Sequence, residues 1–275
     1  MNLRQQYIFA AASFIVFVLG LSFNYLDLKS WSMIGLAASG LAAFFLPLKV
    51  ATFVVFLYIG FDGFFKVISN YHPFVHVGAD ILVVALCAKA LIENYLYRRK
   101  PERLPPFTLL FAFHFFWVLI NIFHPYSLSL FSSVAGAKVY VSMFTLYFFG
   151  FYLVKSVKDV HFFIWPWIGI TLVHTFTGVY QGLTGPDSVL ALHSRYSVQL
   201  SKFADQAFRP FGLTNLPGAP AVWIFLVTPL VVYMIFNNRS KLIRVVMILA
   251  APFLGLTLVL CQVRSAIFKT LFGVS

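Results

Sequence analysis

Arg209 stands at the end of a polar stretch, in the order Arg209, Pro210, Phe211, Gly212, and Arg264 follows Gln262 and Val263 just past a long apolar run. A guanidinium presents a planar fork of donors and grips phosphate or carboxylate oxygens in pairs, where a lysine acts as a point charge. Two such groups at the ends of apolar runs can bind an anion. They can also stabilise charge that develops on it, without a metal. Arg195 lies in the same polar stretch, Lys138 opens another apolar run, and Gln181 and Asn215 offer hydrogen bonds nearby. The plain alternative is that arginines in such loops are solvated or meet lipid head groups.

Groups able to take a proton are scattered. Asp187, Asp205, His193, His124 and His72 fall in polar segments, but no spacing binds any two of them into an acid–base pair. His124 precedes a proline and reads as a turn residue at an interface. Asp62 and Asp80 are more unusual, because they fall inside apolar runs, where an ionisable group is costly and pairs with a partner or lines a cavity. Lys66 follows Asp62 at i,i+4, so an ion pair competes with a cavity role. His114 and His174 on apolar runs read as packed or hydrogen-bonded between helices. Metal-ligand spacing, a glycine-rich phosphate loop and a Ser-His-Asp order are missing, so neither metal nor other cofactor is expected. Cys87 and Cys261 sit inside apolar runs and suggest no disulfide framework.

The elements that must position these groups are membrane spans. The 275 residues are 61% hydrophobic and only 10% charged, and 34 are Phe. That composition describes a polytopic helical membrane protein, and at roughly 20 residues per span there is room for about nine. Expected spans run over 7–25, 31–46, 50–67, 75–95, 107–123, 139–154, 162–183, 219–236 and 242–261. The second is short and rich in glycine and alanine, which lets helices approach closely in lipid, so it should pack centrally. Between the seventh and eighth lies the long polar loop 184–218. The net charge of +12 does not argue for nucleic acid, because the positive charges sit between apolar runs. With the N-terminus cytoplasmic, short inner loops around Arg4, Lys49, Arg98–Arg103, Lys155–Lys158 and Arg239–Arg244 hold 11 of the 20 basic residues. Lys89 is expected to snorkel to the same side. The 184–218 loop and Arg264 then face outward.

Four segments in order carry a family resemblance. They are Ile122–Tyr140 running into Leu146–Gly150, then Gly178–Gln181, Arg209–Gly218, and Gln262–Ala266. Together they resemble the O-antigen ligase and O-antigen or exopolysaccharide polymerase superfamily. The resemblance implies a GT-C-like, metal-independent glycosyltransferase on the outer face of the bacterial inner membrane. Its donor would be a polyprenyl-diphosphate-linked glycan and its acceptor a glycan or lipid. The family's diphosphate-holding arginines carry over to Arg209 and Arg264. Family members continue into a larger outer loop after the second arginine motif. Here eleven residues follow Arg264, so the chain is expected to be an N-terminal portion.

The sequence reading is therefore an all-α transmembrane bundle with Arg209 and Arg264 as catalytic groups. Lys138, Gln181, Arg195 and Asn215 are its substrate-binding groups. The rival reading is a transporter or flippase for a lipid-linked oligosaccharide or small molecule, and it draws on Asp62, Lys66, Asp80 and Lys89 inside spans.

Overall fold

A computed structural model of the chain describes residues 28–95, 104–124, 149–203, 207–238 and 240–263, with isolated positions at 130, 133, 137, 147, 267 and 270. The expected first span, the Arg98–Arg103 loop, Lys138 with most of the expected sixth span, Asp205, and Arg264 all lie outside the described residues. Among the described residues every regular element is a helix. In order they are α1 (Leu28–Phe45), α2 (Leu48–Gly60), α3 (Asp62–Ile68), α4 (Pro73–Tyr95), α5 (Thr108–Ile122), α6 (Val157–Thr184), α7 (Pro186–Leu192), α8 (Tyr196–Ser201), α9 (Pro220–Asn237) and α10 (Lys241–Cys261). Chain in hydrocarbon must satisfy its backbone internally, and the helix does so within one segment.

Four of these helices, α4, α6, α9 and α10, are long and apolar enough to cross a membrane. A fifth crossing follows if α2 and α3 count as one span, which is bent by 54° at Phe61. The 50–67 segment is therefore a broken span rather than a continuous one. Helix α5, with 15 residues, and the described part of α1 are shorter than a full crossing. The described residues thus carry four or five crossings and do not reach the expected nine. Large apolar side chains such as Leu109 and Phe113 on α5 and Leu249 and Val259 on α10 face outward from the bundle, as lipid contact requires.

Two cores are joined by α6. One is built by α6, α9 and α10 around Ile168, Ile224, Val227, Met234, Met247 and Leu254. The other gathers α1, α2, α4 and the helical turn 149–153 around Val55, Tyr58, Leu82, Leu86 and Phe149. Helices α2 and α6 meet at Gly60, where a Cβ would stand 2.6 Å from the Ile170 side chain. The small-residue helix α1 packs against α2, α3 and α4, while Leu41, Phe44 and Phe45 on it stay exposed. Gly78 of α4 lies under Leu36, and the Tyr58 ring covers Gly35.

The helices define two ends. At one end the Lys49 ammonium pairs with Asp159, Tyr95 and Tyr152 share a hydrogen bond of 2.9 Å, and Lys89 Nζ donates to the carbonyls of Ala43, Phe44 and Leu46. Lys89 thus caps the carbonyl end of α1. The α9–α10 turn with Lys241 lies at this basic end too. At the other end are the 69–72 turn, the 184–218 loop and the close of α10. This matches the expected sorting of loops into two sets.

Helix α6 starts with a signal that the sequence reading passed over as a basic turn. Ser156 and Asp159 form a capping box, and the Asp159 carboxylate accepts from the backbone N–H groups of Lys155 and Ser156, each at 2.9 Å. Asp159→Ala should therefore lower the midpoint of a reversible unfolding titration of the purified protein. Lys49→Ala should cost less, because the Lys49 side chain is 53% exposed and its pairing is screened by solvent.

Candidate anion site at the loop end of the bundle

The 184–218 stretch is a folded cap. Gly185 ends α6 with φ +83°, a conformation open to glycine, and Pro186 starts α7 at once. Helices α7 and α8 then fold back over α3. Val189, Tyr196 and Phe211 bury themselves against Val67 of the broken span, with Phe64 and Tyr71 packed around them. The Tyr196 hydroxyl donates to the Thr214 carbonyl at 2.8 Å, and Gln199 donates to the Tyr71 hydroxyl. Burial, and secondarily the neighbouring Tyr71 phenol, push the Tyr196 phenol above its ordinary range, so it remains a donor. Asn70 and Tyr71 both carry a φ of 55°, and they turn the chain from α3 into α4 directly beneath this cap.

Two buried side chains of α6 fasten the Arg209–Gly218 segment. Gln181 is fully buried; its Oε1 accepts from the N–H groups of Phe211 and Gly212, both at 2.8 Å, and its Nε2 donates to the Gly212 carbonyl at 3.0 Å. Two turns earlier, His174 is also fully buried. Its Nδ1 accepts from Leu213 N–H at 3.1 Å, so the proton sits on Nε2, which donates to the Gly60 carbonyl at 2.8 Å. His174 thus bonds between elements, as read from the sequence. Gly212, with φ +59°, sits so close to His174 and Pro220 that a Cβ would stand 2.9 Å from the proline.

The segment held this way spans the loop end of the bundle. At its far end Asn215 lies against Gly63 of α3, where a Cβ would stand 2.7 Å from the Asn215 nitrogen. At its near end Arg209 stands beside the close of α10. Gly218, with φ +77°, lies between them: a Cβ there would meet Val263 at 3.0 Å, the Cys261 carbonyl at 3.1 Å and the Arg209 Cδ at 3.7 Å. Arg209 and the residue before Arg264 therefore converge on one glycine. The Arg209 Nε is buried, and the side chain has no hydrogen bond or ion pair among the described residues. It lines a cavity of about 30 Å³ with Leu200, Phe203, Phe208, Phe211 and Pro217. A guanidinium held in an aromatic and aliphatic wall with an unpaired donor is chemically able to pair with an oxyanion.

The sequence-derived residues fall into distinct positions. Arg209 lines the cavity. Gln181 is spent on the loop backbone and positions Arg209 from below. Asn215 sits across the cap against α3. Arg195 is exposed at the start of α8, and its N–H donates to His193 Nδ1 at 3.2 Å. Lys138 and Arg264 lie outside the described residues. The Asp62–Lys66 ion pair is formed. Among the described residues no group of three metal-ligating side chains occurs. The sequence reading missed the role of Tyr196 and Gln199, whose Tyr196–Gln199 spacing of i,i+3 marks a short helix with one buried face.

Gln181→Leu should leave two buried N–H groups and one carbonyl without partners, at about 1–3 kcal/mol each. Limited proteolysis should then cut within 184–218, whereas Arg195→Ala should leave the cutting pattern unchanged. Gly218→Ala should produce the same opening, because it strains a positive φ and crowds the α10 terminus. Comparison with protein-family models, curated proteins and solved structures finds no match for this chain, so the site stands on its own geometry.

Proposed function

We propose that the loop end of this membrane bundle binds the diphosphate of a polyprenyl-linked glycan, and that the chain takes part in transferring or polymerising that glycan. The observation that carries this reading is the Arg209 guanidinium, half-buried in an apolar wall with its Nε unpartnered, where Arg209 and Val263 converge on Gly218. In such a transfer the anomeric carbon–oxygen bond to the diphosphate breaks and the electron pair stays on the leaving diphosphate. Arg209 stabilises that charge, together with Arg264 as the second arginine that the resemblance implies, and no metal is needed. The acceptor, a glycan or lipid hydroxyl, forms the new bond to the anomeric carbon, and its proton passes to the released diphosphate or to water at the loop end. The reading places the chain in the bacterial inner membrane with the N-terminus cytoplasmic and the loop end outward, in keeping with the basic residues gathered at the opposite end. It accords with the order of motifs that resembles the O-antigen ligase and polymerase superfamily.

A transporter reading draws on a different observation, the Asp62–Lys66 ion pair set at the break of a bent span. The two are separated by where the essential charges sit. In cells making the surface glycan, Arg209→Ala and Arg264→Ala should each lower polymer or ligated product by about 100-fold. Lipid-linked repeat units should accumulate on the outer face. Arg209→Lys should recover little, because a point charge does not replace a fork. Full product from the lysine variants would refute the diphosphate clamp. A block that follows Asp62→Asn or Lys66→Gln alone, with substrate held on one side of the membrane, would favour transport.

A further inference from the structure

Helices α6, α9 and α10 share one core, and at the basic end they carry cations without internal counter-charges. Neither α9 nor α10 contains an acidic residue. The one acid of α6, Asp159, is spent on Lys49 and on the backbone N–H groups of Lys155 and Ser156. Lys158, in the first turn of α6, and Lys241, which opens α10, are both exposed, and among the described residues neither has a hydrogen bond or ion pair. Each lysine heads an exposed apolar face. On α6, Phe162, Trp165 and Phe176 follow Lys158 at spacings of four, seven and eighteen residues, so all four lie on one side of the helix. On α10, Leu242, Val246 and Phe253 form such a side next to Lys241. The two faces meet. The Phe176 and Phe253 rings are 5.4 Å apart, and a Cβ on Gly178 or Gly182 would stand 3.0 Å from Thr257 or 2.6 Å from Leu260. This parallel register sets Lys241 level with residues 162–164 of α6, about 6–9 Å along the axis from Lys158.

We infer that this joined face of α6 and α10 is a binding surface for an anionic phospholipid. The lipid phosphate pairs with Lys158 and Lys241, and the acyl chains lie along the exposed aromatic and aliphatic side chains. Charge complementarity selects this occupant. Two unpaired ammonium groups, with no free acid on the helices around them, draw a counter-charge from outside, at about fivefold in affinity per lysine. Free phosphate answers the charge but leaves the apolar face uncovered. A zwitterionic lipid covers the face but sets its own ammonium beside the lysines. An anionic lipid does both. Trp165, close to the level of Lys241 and 41% exposed, is the amphipathic ring that a head-group interface favours. The surface lies at the end opposite Arg209, so the inference does not rest on the glycan reading.

The test is native mass spectrometry of the full chain released from detergent micelles, titrated with phosphatidylglycerol or with phosphatidylcholine of the same acyl chains. The unmodified chain should hold phosphatidylglycerol about 25-fold more tightly. The double variant Lys158→Gln, Lys241→Gln should lose that preference, and Lys158→Arg, Lys241→Arg should keep it. The pair Arg195→Gln, Lys202→Gln, exposed at the loop end, should leave it unchanged. All of these exchanges fall on exposed side chains, and the arginine pair separates loss of charge from loss of fold. Equal retention of both lipids by the unmodified chain overturns the inference. So does a preference that survives the glutamine pair at positions 158 and 241, or one that is lost with the loop-end pair. Displacement of the lipid by inorganic phosphate at equal concentration overturns it too, since the surface would then read the anion alone.

Discussion

The structure depends on two buried polar side chains of one helix. His174 and Gln181 are seven residues apart on α6, so they lie two turns apart on one face. Both are fully buried, and each must find partners or cost its full desolvation penalty. The partners they find are backbone groups of other segments: the carbonyl of Gly60 and the backbone of residues 211–213. One helix thereby ties the end of a broken span to the loop that carries Arg209. Because the bonds run to backbone, they fix the path of the loop without consuming its side chains.

The break at Phe61 is the second half of the same arrangement. Had α2 run on straight into α3, the Gly60 carbonyl would be spent inside the helix and His174 would lose its acceptor. Turning the chain by 54° frees that carbonyl and lays α3 beneath α7 and α8 as a floor. The cap above it is held by the Tyr196 and Gln199 hydrogen bonds and by a small core of its own. A polar segment at a membrane end is kept rigid in this way by burial against a helix that would otherwise have been in lipid. Rigidity is what an anion site needs, since donors that are already placed need no reorganisation when the charge arrives.

Much of the architecture was legible in the residues. The all-helical class and the apolar runs of α4, α6, α9 and α10 follow from composition and hydropathy. The Asp62–Lys66 pair follows from i,i+4 spacing, and the bonding role of His174 from the cost of a bare imidazole in an apolar run. The kink at Phe61 was not read from the sequence, although Gly60 and Gly63 flank it and Asp62 interrupts the apolar run there, because the run is long enough to pass for one continuous span. The role of Gln181 was also hidden. At the end of a span it reads equally well as a group facing a ligand or as one facing a backbone, and only the return of residue 211 decides between them.

The sequence by itself determined that this chain is a helical membrane protein with its positive charge sorted into two sets of loops, and that Arg209 stands at the end of a span. These are properties of runs of residues, and the membrane reads them locally through hydrophobicity and charge. Only the tertiary structure decided which of the polar residues are consumed in holding the fold and which are left over. Gln181 and His174 are consumed; the Arg209 Nε, the Tyr58 hydroxyl and one oxygen of Asp62 are left over. The physical reason is that a polar atom is satisfied by whatever donor or acceptor the fold brings to it. Residues far apart in the chain, such as Gly60 with His174 or Gly218 with Val263, meet only when the helices have packed.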